Sequence, residues 1–203
     1  MARKLSWLFG IALISGFLFM IFIGSAYRMG TGKEWQLMDI AGHLPYLRFS
    51  LVADRGQLVT EKDYRGDVVL LYFGFTKCED ECPITMLRLS RIMQRLGQDA
   101  EHVRLLFITV DPENDTPQVL HQYIAAFDPE HMAGLTGGSR DLEAIVKRYR
   151  AANRPEHGKA DDISHSNVMY IFDQLGQARL LVMPDDSDEK ILNDVRRMIH
   201  DAS

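Results

Sequence analysis

The chain contains two cysteines, Cys78 and Cys82, three residues apart in Cys78-Glu79-Asp80-Glu81-Cys82-Pro83. An apolar run, Val68 to Phe75 (VVLLYFGF), leads into them. A helical pattern opens at Pro83 and carries Leu89, Ile92, Met93 and Leu96 on one face. Two thiols between a strand and a helix N-terminus can hold a soft metal ion, cycle through a disulfide, or form a structural cross-link. The helix dipole and Lys77 favour thiolate, whereas Glu79, Asp80 and Glu81 oppose it. A cation between the sulfurs removes that conflict, because metal displaces thiol protons and the carboxylates help neutralise its charge. The three-residue gap suits a bridged metal ion at least as well as a tight disulfide. A structural disulfide over so short a loop removes little chain entropy. A peroxidatic cysteine needs a strongly depressed pKa, against which the three acids argue.

An α/β framework is expected to position this pair. Leu47 to Val52 and Gln57 to Thr60 flank Ala53-Asp54-Arg55-Gly56 as a hairpin. Val68 to Phe75 and Val103 to Val110 are continuous apolar runs, the pattern of strands buried on both faces. Helices are expected over Pro83 to Leu96, over Pro117 to Phe127 with Thr116 as cap, and over Arg140 to Arg150. Met132 to Thr136 reads as a short strand, and Asn167 to Phe172 pairs with Gln177 to Met183 around Asp173-Gln174-Leu175-Gly176. A last helix begins near Ser187, with Asp186 and Glu189 arranged like a capping box. A βαβ unit followed by an antiparallel hairpin and a terminal helix is the thioredoxin-like pattern, a central sheet covered by helices. Both cysteines then fall at the carboxyl end of a parallel strand, where open α/β sheets place their sites.

Two thiolates need a further metal ligand, and seven histidines are available. Thioredoxin-like folds bring the loop before the third main strand against the cysteine loop. Here that loop is Asp161-Asp162-Ile163-Ser164-His165-Ser166, which makes His165 the expected third ligand and His157 the next choice. His121 and His200 fall on predicted helices, where a surface role is the default. Two thiolates and an imidazole match copper; zinc can occupy the same set, but no second Cys/His pair has zinc-finger spacing. Asp111, in Val110-Asp111-Pro112 at the same sheet edge, reads either as an oxygen partner near the site or as the start of a turn.

The rest of the composition bounds the setting. The chain's 203 residues suit one domain plus a small segment, and its net charge of −5 gives no basic excess for nucleic acid. Leu5 to Tyr27 runs 23 residues without a charge. As a helix it is about 34 Å long, enough to cross a hydrocarbon core of about 30 Å. We expect residues 1–27 to form a single-pass anchor, 28–46 a tether and 47–203 the folded domain; cleavage near Gly24-Ser25-Ala26 is the rival reading. Residues 1–27 hold two bases and no acid, so the remainder carries 21 basic against 28 acidic residues, a net of −7. Such a charge serves ordinary solubility first, and otherwise suits cationic partners, whether metal ions or basic protein faces. The apolar run starts too early to leave room for an Arg-rich transit peptide, so the expected location is a bacterial inner membrane with the domain in the periplasm.

On these residues the chain resembles the Sco/SenC family of membrane-anchored copper proteins with a thioredoxin-like fold. The matching pieces are Leu70-Leu71-Tyr72-Phe73-Gly74-Phe75-Thr76 running into Cys78 and Cys82-Pro83, and Val110-Asp111-Pro112-Glu113-Asn114-Asp115-Thr116-Pro117. Gly134-Leu135-Thr136-Gly137 and His165-Ser166 before an aromatic strand add to them. The resemblance implies a copper ion held by Cys78, Cys82 and His165. It also implies a role in supplying or maturing the binuclear copper centre of cytochrome c oxidase, with the oxidase's copper-bearing subunit and a copper donor protein as partners. A metallochaperone is implied rather than an enzyme; the alternative is a thiol–disulfide reductase in which Cys78 and Cys82 keep client cysteines reduced. The chain departs from the family pattern at Glu79, where proline is common, at Glu81, usually apolar, and at Ser164, often aspartate.

Overall fold

The computed structural model describes residues 34–150 and 167–201. Within them eight strands form one sheet: β1 Met38–Asp39, β2 Ser50–Ala53, β3 Leu58–Thr60, β4 Val68–Gly74, β5 Val103–Thr109, β6 Met132–Thr136, β7 Met169–Phe172 and β8 Ala178–Val182. Their order across the sheet is β1-β8-β7-β4-β5-β6-β2-β3. Four helices accompany them: α1 Glu81–Leu96, α2 Pro117–Ala125, α3 Ser139–Tyr149 and α4 Asp188–His200.

Every residue of β4 is buried. Val68, Leu70 and Tyr72 pack into one core and Val69, Leu71 and Phe73 into another. A strand apolar on both sides needs cover on both faces. Helices α1, α2 and α4 supply it on the first face, while α3 and the segment around Leu47 and Phe49 supply it on the second. β4, β5 and β6 run parallel, joined through α1 and α2. β7 runs antiparallel to β4, with Tyr72 opposite Met169 and Val69 opposite Phe172. Its first residues therefore lie at the edge where β4 ends. This is the expected α/β sheet covered by helices.

Local chemistry sets the boundaries. Gly56 turns the β2–β3 hairpin at φ +86, and Gly176 turns β7 into β8 at φ +72. Thr116 caps α2 by accepting the Val119 N–H. Helix α1 begins at Glu81, two residues before the expected start, so Pro83 is its third residue. The first N–H groups of a helix lack intrahelical partners in any case, so proline there removes no bond. The expected capping box at α4 is not formed: Ser187 is the cap, accepting the Lys190 N–H, while Asp186 accepts the Met183 N–H and the Lys190 ammonium.

The expected tether over 28–46 is corrected for its described part. From Trp35 on, the described residues fall in one compact unit, and β1 adds to the sheet beside β8. The buried Asp194 carboxylate accepts the N–H groups of Gln36 and Leu37, both at 2.8 Å. The Arg197 guanidinium lies 4.3 Å from the Trp35 ring centroid. A two-residue strand held by one carboxylate has no periodicity to read in sequence. The expected anchor over residues 5–27, and residues 28–33, lie outside the described residues. Among the described residues no helix is long and apolar enough to cross a membrane.

Burial pushes the phenols of Tyr64 and Tyr170 up to about 12 and raises those of Tyr72, Tyr123 and Tyr149 as well. Folding therefore favours the protonated phenols. Their contribution to stability is complete below their ordinary value of about 10 and is lost as pH rises through the folded-state values. Denaturant unfolding followed by circular dichroism is expected to show unchanged stability up to about pH 9 and a steep fall between about pH 10 and 12.

Candidate metal centre

Cys82 lies in the first turn of α1 and is completely buried, whereas Cys78 on the preceding loop is half-buried. Both are thiols. The Cys82 sulfur is seated by the absence of a side chain at Gly74. A Cβ added there would come within 2.9 Å of that sulfur and 2.7 Å of the Phe107 ring. The Tyr72 hydroxyl closes another side, 3.7 Å from Cys82 Sγ and 3.1 Å from Asn167 Oδ1. Cys78 Sγ takes over the capping of α1: it accepts the Cys82 N–H at 3.4 Å, while Asp80 at the cap position makes no side-chain cap.

Burial pushes the Cys82 thiol up to about 12; the neighbouring Cys78 sulfur adds to the rise, and the Phe75 backbone N–H and the Tyr72 hydroxyl offset part of it. Tyr123 stands close enough for both sulfurs and the Asp115 carboxylate to raise its phenol, after burial itself. Its hydroxyl is buried without a hydrogen-bond partner among the described residues. The site thus holds two soft sulfurs, two phenols and an aromatic wall, with Glu79, Asp80 and Glu81 exposed at its mouth. Chemically it is half of a soft-metal site, able to take a cation that replaces the thiol protons.

The cysteine loop is fixed from the neighbouring loop by one carboxylate. Asp115, fully buried, accepts the Thr76 N–H at 3.0 Å, the Thr76 hydroxyl at 2.5 Å and the Thr109 hydroxyl at 2.6 Å. Next to it the Val110 N–H bonds the Gly74 carbonyl at 2.9 Å. Asp111, the sequence candidate, has a different task. Its carboxylate accepts the Asn114 side-chain amide, and Asn114 Oδ1 accepts the Lys77 ammonium at 2.6 Å. Asp111 thus shapes the loop that carries Asp115, which supports the turn reading over an oxygen partner at the sulfurs.

Sequence reasoning singled out Cys78 and Cys82, and the structure brings them together. It passed over Gly74, Tyr72, Tyr123 and Asp115. Asp115 stood in the Val110 to Pro117 segment that carries the family resemblance, but nothing in that segment reveals its burial. His165 and His157 lie outside the described residues. His121 and His131 pair with Asp54 and Asp128, at 2.8 and 3.0 Å, and His200 lies 3.2 Å from Asp99. Among the described residues no three His, Cys, Asp or Glu side chains converge as a complete metal site.

Residues 41–200 match the family model described as SCO1/SenC. The mitochondrial SCO1 homolog 1 of Arabidopsis thaliana is 37% identical over 126 residues, 61% of this chain and 37% of that protein, so this chain aligns with little more than a third of that relative's length. The crystal structure of Arabidopsis thaliana ScoI with copper bound superposes with a TM-score of 0.69 at 31% identity, covering 77% of this chain and 98% of that one. BsSco, described as a Sco family cytochrome c oxidase assembly protein with a disulfide switch, shares the fold at a TM-score of 0.67 and 23% identity, over 82% of this chain and 98% of that one.

Gly74→Ala should overpack the Cys82 seat and cost about 1–3 kcal/mol in denaturant unfolding. Cys82 should then react faster with a thiol reagent; an unchanged rate would mean that Gly74 does not seat the sulfur. Asp115→Ala strands three donors and should cost roughly 3 kcal/mol, with the largest rise in hydrogen exchange at Thr76 and the residues up to Cys78.

Proposed function

We propose that this chain, which belongs to the SCO1/SenC family, binds copper through Cys78, Cys82 and His165 and delivers it to, or matures, the binuclear copper centre of cytochrome c oxidase. The observation that carries this reading is the paired sulfur half-site at the end of β4, one thiol buried and one half-buried. Copper is cargo here: Cys78 and Cys82 supply soft donors, and Glu79, Asp80 and Glu81 offset the incoming charge.

Strand direction supports the third ligand. Antiparallel β7 begins beside the end of β4, and Asn167 Oδ1 reaches the Tyr72 hydroxyl that touches Cys82. His165 precedes Asn167 by two residues, a span of at most about 7 Å of extended chain. The half-site therefore lies within the reach of that imidazole.

The reductase reading draws on the unequal exposure of the two thiols, the arrangement of an attacking and a resolving cysteine. The raised Cys82 thiol argues against it, because a sulfur that resists ionisation is a slow leaving group in thiol–disulfide exchange. A protein client suits the surface at the site: Ile84 and Leu87, one turn into α1, are 68% and 47% exposed beside the three acids. The copper-bearing subunit of the oxidase and a copper donor protein are the proposed partners. Residues 5–27 are the proposed single-pass anchor, holding the domain on the periplasmic side of a bacterial inner membrane.

Anaerobic copper titration of the reduced full chain in detergent, beside His165→Ala and Cys82→Ser, tests the assignment. One tight equivalent is expected, weakened in each variant by at least about tenfold, equivalent to roughly 1.4 kcal/mol. Equal binding by His165→Ala and the unaltered chain would remove the imidazole from the site. Rescue of oxidase assembly by His165→Ala would favour the reductase instead.

A further inference from the structure

The end of the sheet opposite the cysteines carries a second feature that copper binding does not use. Arg65 precedes β4 and Cys78 follows it, so the seven residues of that strand separate the two regions by roughly 23 Å. The β7–β8 turn lies at the Arg65 end, since the Arg65 guanidinium donates to the Leu175 carbonyl and the Gly66 N–H to Gln174. There a cavity of about 520 Å³ is lined by Tyr46, Arg48, Lys62, Arg65 and Arg148, with Glu61 the one acid in its wall.

The cavity is assembled rather than incidental. The Tyr149 hydroxyl donates to the Tyr46 carbonyl and accepts the Arg48 N–H, each at 3.0 Å, and the Arg148 guanidinium donates to the Arg48 carbonyl at 3.1 Å. The acids on the same elements are turned onto backbone: Glu61 accepts the Phe49 N–H, and Asp63 accepts the Thr60 N–H and hydroxyl. None of the four cations takes part in a salt bridge among the described residues. This is the reverse of what an acidic chain leads one to expect, since its cations should find carboxylates readily. Two large apolar side chains stand exposed at the same place, Tyr46 at 57% and Leu175 at 68%.

Unpaired cations beside an exposed tyrosine and leucine are the composition of a surface that meets lipid headgroups: the bases meet phosphate, the phenol sits at headgroup level and the aliphatic chain enters the acyl boundary. We propose that this face docks on an anionic bilayer and thereby points the cysteine edge away from it. The proposal rests on the anchor proposed above for residues 5–27. Eight residues lead from Tyr27 to Trp35, at most about 28 Å of extended chain, so such an anchor would leave the domain able to meet the bilayer. Charge acts at both ends of the sheet, because a surface that attracts Arg48, Lys62, Arg65 and Arg148 repels Glu79, Asp80 and Glu81.

The test is hydrogen exchange on the full chain in lipid nanodiscs, comparing phosphatidylcholine alone with phosphatidylcholine plus phosphatidylglycerol. Amides of residues 46–48, 62–66 and 174–176 are expected to exchange several-fold more slowly in the anionic discs, while residues 76–82 stay unchanged. The protection should vanish in about 1 M salt, where the Debye length is about 3 Å. It should also vanish in Lys62→Glu and in Lys62→Glu/Arg65→Glu. Lys62 Nζ makes no hydrogen bond among the described residues, so its variant should keep the unfolding midpoint and copper stoichiometry of the unaltered chain. Inorganic phosphate added to neutral discs separates the sources: equal protection by phosphate would reassign the cavity to a small free anion and overturn the bilayer proposal. Identical exchange in neutral and anionic discs overturns it as well. A chain released from neutral discs by high salt refutes the anchor alone, since protection by anionic lipid is scored separately.

Discussion

One buried carboxylate makes the cysteine edge a fixed object. A charge with the exposure of Asp115 is costly to bury unless its oxygens are fully engaged, and removing its partners would leave it uncompensated. Its three donors come from two separate places, Thr76 on the loop after β4 and Thr109 at the end of β5. Each loop is thus held by what the other supplies. The Val110 to Gly74 backbone bond lies in the same seam, and the Lys77–Asn114–Asp111 chain covers its outer side. Cys78 begins two residues past Thr76 and inherits that fixed starting point. The depth of Cys82 is set separately by α1 and by the bare backbone of Gly74.

How much of this was legible in the sequence follows from the physics of each feature. β4 and β5 were readable because a strand covered on both faces is apolar without interruption, and the α1 face was readable because its helical period repeats over four turns. The cysteine pair was readable from residue type alone. β1 was not, since two residues and a pair of backbone bonds to Asp194 leave no pattern along the chain. Asp115 was hidden for a related reason. Its partners are 39 and 6 residues away in sequence, and burial of a carboxylate is decided by that distant context. Asp111 drew attention instead because it precedes a proline at the sheet edge, a position that marks a turn whatever else the residue does.

The sheet also separates two electrostatic environments within one small domain. Glu79, Asp80 and Glu81 stand exposed at the sulfurs, and four bases with no salt bridge among the described residues line the cavity where β4 begins. Seven strand residues with both faces packed make a stiff spacer, because a close-packed core deforms little. The chain's overall negative charge hides this arrangement, since a net value sums over ends that meet different surroundings. Binding at the basic end therefore leaves the acidic end free to face a cationic partner or ion.

The reversal of β7 is what lets the proposed copper site draw on two parts of the chain. In a sheet continued in parallel, the residues before β7 would lie at the Arg65 end, one strand length from the sulfurs. Running antiparallel, β7 starts beside Tyr72, and Asn167 meets the hydroxyl that touches Cys82. The topological step that departs from a simple βαβ succession is thus the one that starts β7 at the cysteine edge. Cys78 and Cys82 are local to a single strand–helix junction and can pair whatever the direction of β7. The third donor proposed from the residues before β7 requires that direction, so the proposed ligand set stands or falls with the strand order.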